Sequence, residues 1–203
     1  MIPQPHRRPL FWRIYYRLNG IRGDEILNHG GQPSLVSEPL DRVLRRCMNT
    51  LQTEVIDPEG MHVDYVRLET STTFTTYLSL VAGLRTFDLR SLSSRAERMA
   101  FWLNLYNALI IHAVIARHIP RFVNKEGGIF DWSAYCVNGY RFSANDIEHG
   151  ILRSNRGHPL VPGPVFAAAD PRREFVLEQL DPRLHAALNC AARSCPPINF
   201  YDS

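Results

Sequence analysis

The chain has 203 residues, of which 45% are apolar and 21% charged, and its formal net charge is +3. Those figures fit one globular domain with a sizeable core, and they exclude disorder over most of the chain. The four cysteines, Cys47, Cys136, Cys190 and Cys195, are not spaced as a disulfide-dense scaffold, and without an export signal they are expected to be reduced.

Residues 1–34 read as a basic N-terminal arm and loop. Arg7, Arg8, Arg13, Arg17 and Arg22 all precede the first acid, Asp24, and Phe11, Trp12, Tyr15 and Tyr16 interleave them. Such an arm either packs on its own domain or a neighbouring chain, or meets an anionic surface, membrane or nucleic acid. The nucleic-acid signal is not strong. Leu10-Phe11-Trp12 is broken by Arg13 and no small-residue cleavage site follows, so no secretory signal is read. Residues 35–203 read as the domain proper. The spacing Leu40, Val43, Leu44, Cys47, Met48, Leu51 predicts a helix. Asp57-Pro58-Glu59-Gly60 predicts a turn, Val63 to Val66 a short extended piece, and Thr73 to Leu84 a second helix.

Ser94-Arg95-Ala96-Glu97 is a capping box, in which the serine hydroxyl and the glutamate carboxylate satisfy helix-start amides reciprocally. The helix behind it runs to about His118 and is apolar on nearly every face, which makes it the central buried helix. Its longest apolar stretch, Met99 to Ile115, is broken by Asn104, Asn107 and His112 and falls short of the roughly 20 residues that span a bilayer. No transmembrane segment is expected, and the chain reads as soluble and cytoplasmic. Asn138-Gly139 between Tyr135-Cys136-Val137 and Tyr140-Arg141-Phe142 signals a hairpin with a primed turn. Ser143, with Asp146 at the box position, caps a helix through about Arg153. Residues 154–173 read as loop. Pro171 to Leu180 is ambiguous, Leu184 to Asn189 fits strand or helix, and Cys190 to Pro197 reads as an irregular turn. The fold class is α+β: mainly helical, with a central buried helix and a small antiparallel sheet in the C-terminal half.

Three constellations carry chemistry. On the central helix Asn104 and Asn107 lie about 60° apart, on one stripe, beside Tyr106. Buried amides either bond neighbouring backbone or line a polar pocket. On the helix after Ser143, Glu148 and His149 point about 100° apart, so they do not readily pair, whereas His149 and Arg153 share a face. Glu148 could then orient an imidazole elsewhere, such as His112 or His185. The third is His185 with Cys190, Ser194 and Cys195: three zinc ligands with His149 as a fourth, a dithiol pair, a thiolate nucleophile with its base, or two small buried thiols.

Together these stretches resemble the DUF547 family, a widespread domain of unknown function. The resemblance covers roughly residues 40–203. It is carried by Val63-Asp64-Tyr65, Ala100 to Leu109, Asp146-Ile147-Glu148-His149-Gly150-Ile151-Leu152-Arg153, His185 to Cys190, and Ser194-Cys195-Pro196-Pro197. Similar proteins carry this domain alone, beside glutaredoxin-like or DEP domains, or after coiled-coil segments, which implies redox or signalling settings by association. Two departures stand out. Ala191 replaces a glycine typical after the first motif cysteine, and the family domain usually continues past Tyr201, so its last C-terminal helices are expected to be missing here.

The leading functional expectation is a thiol- and histidine-dependent hydrolase- or transferase-like site with a distant papain- or transglutaminase-like layout. Cys190 is then nucleophile or ligand, His149 or His185 the base, Glu148 the orienting carboxylate and Asn104 a donor to an oxyanion. Asn107, Tyr106, Arg153, Ser194 and Cys195 complete it as binding residues. The alternative is a non-catalytic protein-interaction module. No cofactor or metal is assigned by sequence.

Overall fold

The computed structural model describes residues 8–21, 25–55, 57, 63–117, 128–189 and 199–202. Seven α-helices lie in them: α1 (Leu10–Leu18), α2 (Leu40–Val55), α3 (Tyr65–Thr70), α4 (Thr72–Gly83), α5 (Arg95–Ala116), α6 (Ile129–Trp132) and α7 (Leu184–Ala187). Two strands, β1 (Ala134–Val137) and β2 (Tyr140–Ser143), form an antiparallel hairpin, and a π-helix (Asp146–Leu152) follows. The fold is therefore α+β and mainly helical, with its small sheet in the C-terminal half.

Local chemistry sets most boundaries. The Ser94–Glu97 capping box forms: Glu97 N–H donates to Ser94 Oγ and Ser94 N–H to the Glu97 carboxylate, at 3.0 and 2.9 Å. Behind it α5 buries fifteen of its 22 residues, which explains its lack of a polar face. By length and composition α5 could cross a membrane, yet most of that span is buried inside the fold, as in a core helix. Ser71 caps α4 through Thr73 and Phe74 N–H. Asp64 caps α3 through Arg67 N–H, so the extended piece expected over Val63–Val66 gives way to helix at Tyr65. The Pro58–Gly60 part of the expected turn lies outside the described residues.

Asn138 and Gly139 turn the hairpin with φ of 50° and 76°, the positive pair a type I′ turn requires. Their N–H groups donate to the Leu84 and Arg85 carbonyls, which anchors the hairpin tip. The outer edge of β1 is covered as well. Leu27 N–H donates to the Ala134 carbonyl, and the Asn28 amide both accepts from Cys136 N–H and donates to its carbonyl. One buried amide thus acts as a piece of a third strand, which lets a two-stranded sheet sit in a core.

Helix α1 and Asn28 are built into this core. Trp12 is fully buried and Tyr16 nearly so, and Gly20, at φ 62°, returns the chain so that Ile21 N–H meets the Tyr16 carbonyl. The π-helix packs on α5 and on β2. Within it Gly150 faces Phe166 so closely that a Cβ would lie 2.4 Å from the ring. Gly150→Ala is expected to destabilise the fold by about 2 kcal/mol or more through overpacking. Gly30→Ala, where a Cβ meets nothing within 4 Å, is the control, and urea unfolding of both variants makes the comparison.

Candidate functional site

The site is organised by the π-helix. Its backbone pairs residues five apart, with Arg153 N–H donating to the Glu148 carbonyl at 2.9 Å and Asn155 N–H to Gly150 at 3.0 Å. An α-helix would put His149 and Arg153 on one face. The wider turn instead brings Glu148 to Arg153, whose Nε and Nη2 donate to Oε1 at 3.1 and 3.0 Å. Tyr106, buried on α5, donates its hydroxyl to the same carboxylate. His149 lies beside this cluster, its Nε2 at 3.9 Å from Glu148 Oε1. Four expected site residues, Glu148, His149, Tyr106 and Arg153, are thus brought together.

The sequence reading missed the fifth member, His158, which sits in the Pro- and Gly-rich loop. Its ring meets His149 edge-on at 4.8 Å between centroids and Trp12 of α1, also edge-on, at 5.8 Å. His158 Nδ1 accepts from Leu160 N–H at 3.0 Å, so in the neutral ring the proton sits on Nε2. The only local signal was a histidine fixed between Gly157 and Pro159. His149 is buried, and among the described residues its Nδ1 has no hydrogen-bond partner. Burial brings its pKa down to about 4, with Glu148 opposing and His158 and Arg153 adding to the shift.

Beneath the histidines lies a buried charge network. Asp146 is fully buried and takes Arg8 in a bidentate pair, both bonds 2.9 Å, and Arg172 at 3.2 Å. Ser143 and Asp146 also cap one another reciprocally. Arg172 holds Asp170 and the Arg141 carbonyl, Arg141 holds the Asp131 and Trp132 carbonyls, and Tyr16 donates to Asp131 at 2.9 Å. Burial alone would push the Asp146 carboxyl up, but Arg8 and Arg172 outweigh it and hold it well below the usual carboxylate range. Asp131, by contrast, is pushed up by burial despite its bonds to Asn145 and Tyr16.

The two asparagines have main-chain partners. Asn104 donates to the Tyr201 carbonyl at 2.9 Å and accepts from Tyr201 N–H at 2.7 Å. Asn107 donates to the Ala187 and Asn199 carbonyls and accepts from Asn189 N–H. The Asn104 carbonyl and one of its two N–H donors are therefore engaged with the backbone. Asn104 also borders a polar pocket of about 240 Å³ with Arg42, Arg45, Glu97 and Tyr201. His112 is not oriented by Glu148: its Nδ1 meets the Tyr135 hydroxyl at 2.9 Å, which in turn bonds Tyr77. Burial brings His112 down to about 4 as well.

Cys190, Ser194 and Cys195 lie outside the described residues, as does the side chain of His185, whose backbone belongs to α7. Three of the four residues of the zinc reading are therefore among them. Among the described residues no group of three or more His, Cys, Asp or Glu is arranged to hold a metal. Cys47 and Cys136 are free thiols. Burial pushes Cys47 up to about 11 and Cys136 upward too, which suits neither to be a thiolate.

The described residues thus define a helical α+β domain with a π-helix carrying an acid–imidazole cluster over a buried arginine–aspartate network. The model of the family described as "Protein of unknown function, DUF547" matches residues 89–203, more than half of the chain, and the chain belongs to that family. The match begins at Leu89, so α1 to α4 and the Val63-Asp64-Tyr65 stretch precede it. No curated protein and no solved structure matches the chain.

Two measurements test this geometry. Asn107→Ala leaves the buried Asn189 N–H and the Asn199 carbonyl without their partner and the Ala187 carbonyl with the Tyr201 hydroxyl alone, and should cost about 3 kcal/mol in urea unfolding, more than Asn104→Ala, which frees two groups nearer the surface. The second is pH. His112 and His149 rest near 4 in the folded chain against an ordinary 6.5, so the native state binds fewer protons than the unfolded chain between those values. The stability they contribute is present above pH 6.5 and lost as pH falls towards 4. A full shift of that size is worth about 3 kcal/mol per ring. Unfolding midpoints should fall across this window, and His112→Phe should flatten the fall.

Proposed function

We propose that Glu148, His149 and His158 form the acid–base centre of a thiol- and histidine-dependent hydrolase- or transferase-like site, with Cys190 as nucleophile. The observation that carries this reading is the buried His149 Nδ1, which has no partner among the described residues. Buried polar atoms are mostly satisfied, and of the buried side-chain atoms without a partner among the described residues, which include Trp12 Nε1 and the Ser133 and Ser154 hydroxyls, His149 Nδ1 is the imidazole nitrogen, able to take a proton. Glu148, held by Tyr106 and Arg153, faces Nε2 and favours the proton there, which leaves the lone pair on Nδ1. Nδ1 then takes the Sγ–H proton, the thiolate adds to an acyl carbon, and the imidazolium returns the proton to the leaving group.

The chain path supports the pairing with Cys190. Asn189, the residue before it, is pinned to Asn107, the neighbour on α5 of the Tyr106 that holds Glu148. His185 is the second candidate base, and Ser194 and Cys195 stay in the reading as binding residues. A cytoplasmic setting belongs to the same proposal, supported by the free thiols Cys47 and Cys136. The engaged amides of Asn104 and Asn107 favour the alternative, a non-catalytic interaction module.

Alkylation by iodoacetamide, read cysteine by cysteine by mass spectrometry from pH 5 to 9, separates the two. With His149 as base, Cys190 reacts at a pH below that of an ordinary thiol (about 8.5), and His149→Gln slows it about tenfold or more at neutral pH. Identical Cys190 profiles in the wild type and in a folded His149→Gln variant would sink the catalytic reading and leave the interaction module.

A further inference from the structure

Helix α1 has two faces of different character. Trp12 and Tyr16 are buried on the inner one. On the outer one Leu10, Phe11, Ile14 and Leu18 are 63, 55, 45 and 80% exposed. At about 100° per residue these four span an arc of about 100°, and Arg17 and Arg13 follow about 20° and 60° beyond its Leu10 edge. Both arginines are exposed, and residues 8–21 contain no acid. Four large apolar side chains gathered on one exposed face differ from the scattered apolar residues of an ordinary surface.

We propose that this face docks on an anionic lipid surface, with Leu10, Phe11, Ile14 and Leu18 entering the headgroup–acyl boundary and Arg13 and Arg17 meeting lipid phosphates. The pattern is that of a helix lying in the plane of a membrane interface, an apolar arc beside a basic edge. Charge decides between occupants. A nucleic acid would satisfy the arginines but leave the apolar arc in water. A second copy packed antiparallel about a two-fold axis would set the basic edges of the two α1 helices side by side, and a parallel one would leave each edge without an acid to meet on the other, since residues 8–21 carry none. An anionic bilayer supplies hydrocarbon and phosphate side by side. Arg8 takes no part, because Asp146 holds it inside the fold.

The test is co-sedimentation of the full chain with vesicles of phosphatidylcholine, alone or with phosphatidylserine at about a third of the lipid. Binding is expected on the anionic vesicles, weakened by salt. Arg13→Ser with Arg17→Ser should weaken it about 30-fold, at the usual contribution of each basic residue near such a surface. Phe11→Asp with Leu18→Asp should abolish it with an unchanged circular-dichroism spectrum, since both side chains are exposed. Three results would overturn the proposal: equal or absent binding to the two vesicle types, binding that survives both double variants, or a concentration-dependent dimer that Phe11→Asp with Leu18→Asp dissolves.

Discussion

The Asp146 carboxylate is the constraint on which the rest of the structure depends. It is fully buried and paired at once with Arg8, 138 residues away in sequence, and with Arg172. A lone charge in that position would cost several kcal/mol, and breaking such a pair by removing one partner typically costs about 3–5 kcal/mol. Each partner fixes an element. Arg8 draws α1 onto the domain, Ser143 ties the end of β2 to the start of the π-helix, and Arg172 brings in the 171–175 turn together with the Arg141 carbonyl. Where Asp146 is held, the direction of Glu148 and His149 two and three residues later is held too.

The π-helix turns that anchor into a site. Pairing residues five apart widens the helix and exchanges the His149–Arg153 face of an α-helix for a Glu148–Arg153 pair. His149 is left beside the carboxylate and against His158, with no partner for its Nδ1 among the described residues. Gly150 permits this, since Phe166 occupies the space a side chain would need, and the Arg172 guanidinium lies over the same Phe166 ring, 4.4 Å from its centre. One glycine, one ring and one guanidinium therefore join the packing of the π-helix to the charge network below it.

Much of the fold is local chemistry and was legible on that account. The Ser94–Glu97 box, the all-round apolar α5 and the Asn138-Gly139 hairpin are each decided by residues a few positions apart, and each stands where the pattern puts it. The site was legible only in its residue types. Glu148, His149, Tyr106 and Arg153 were singled out, but their partnerships were not, because an i to i+5 backbone has no distinct hydrophobic period to betray it. Arg8 read as one of five basic residues of an arm that either packs on the domain or meets an anionic surface, and nothing near it in sequence reveals a buried carboxylate 138 residues on. His158 was hidden by its place in a loop. Asn104 and Asn107 could equally have lined a pocket, and only the chain returning at Ala187–Asn189 and Asn199–Tyr201 shows them acting as backbone clamps.

Helix α1 is where the site and the outer surface meet. Its inner face supplies Trp12, edge-on to His158, and follows Arg8, the partner of Asp146. Its outer face is the apolar arc beside Arg13 and Arg17. A rigid nine-residue helix cannot shift one face without the other, so anything bound outside acts on the histidines only through the energy that docks α1. Linkage makes that relation reciprocal: a partner that favours docked α1 strengthens the Trp12–His158 contact, and a ligand at His149 that needs Trp12 displaced weakens the outer binding by the same factor. The Arg8–Asp146 pair sets the scale of that coupling, because it is the buried charge contact that undocking α1 would break.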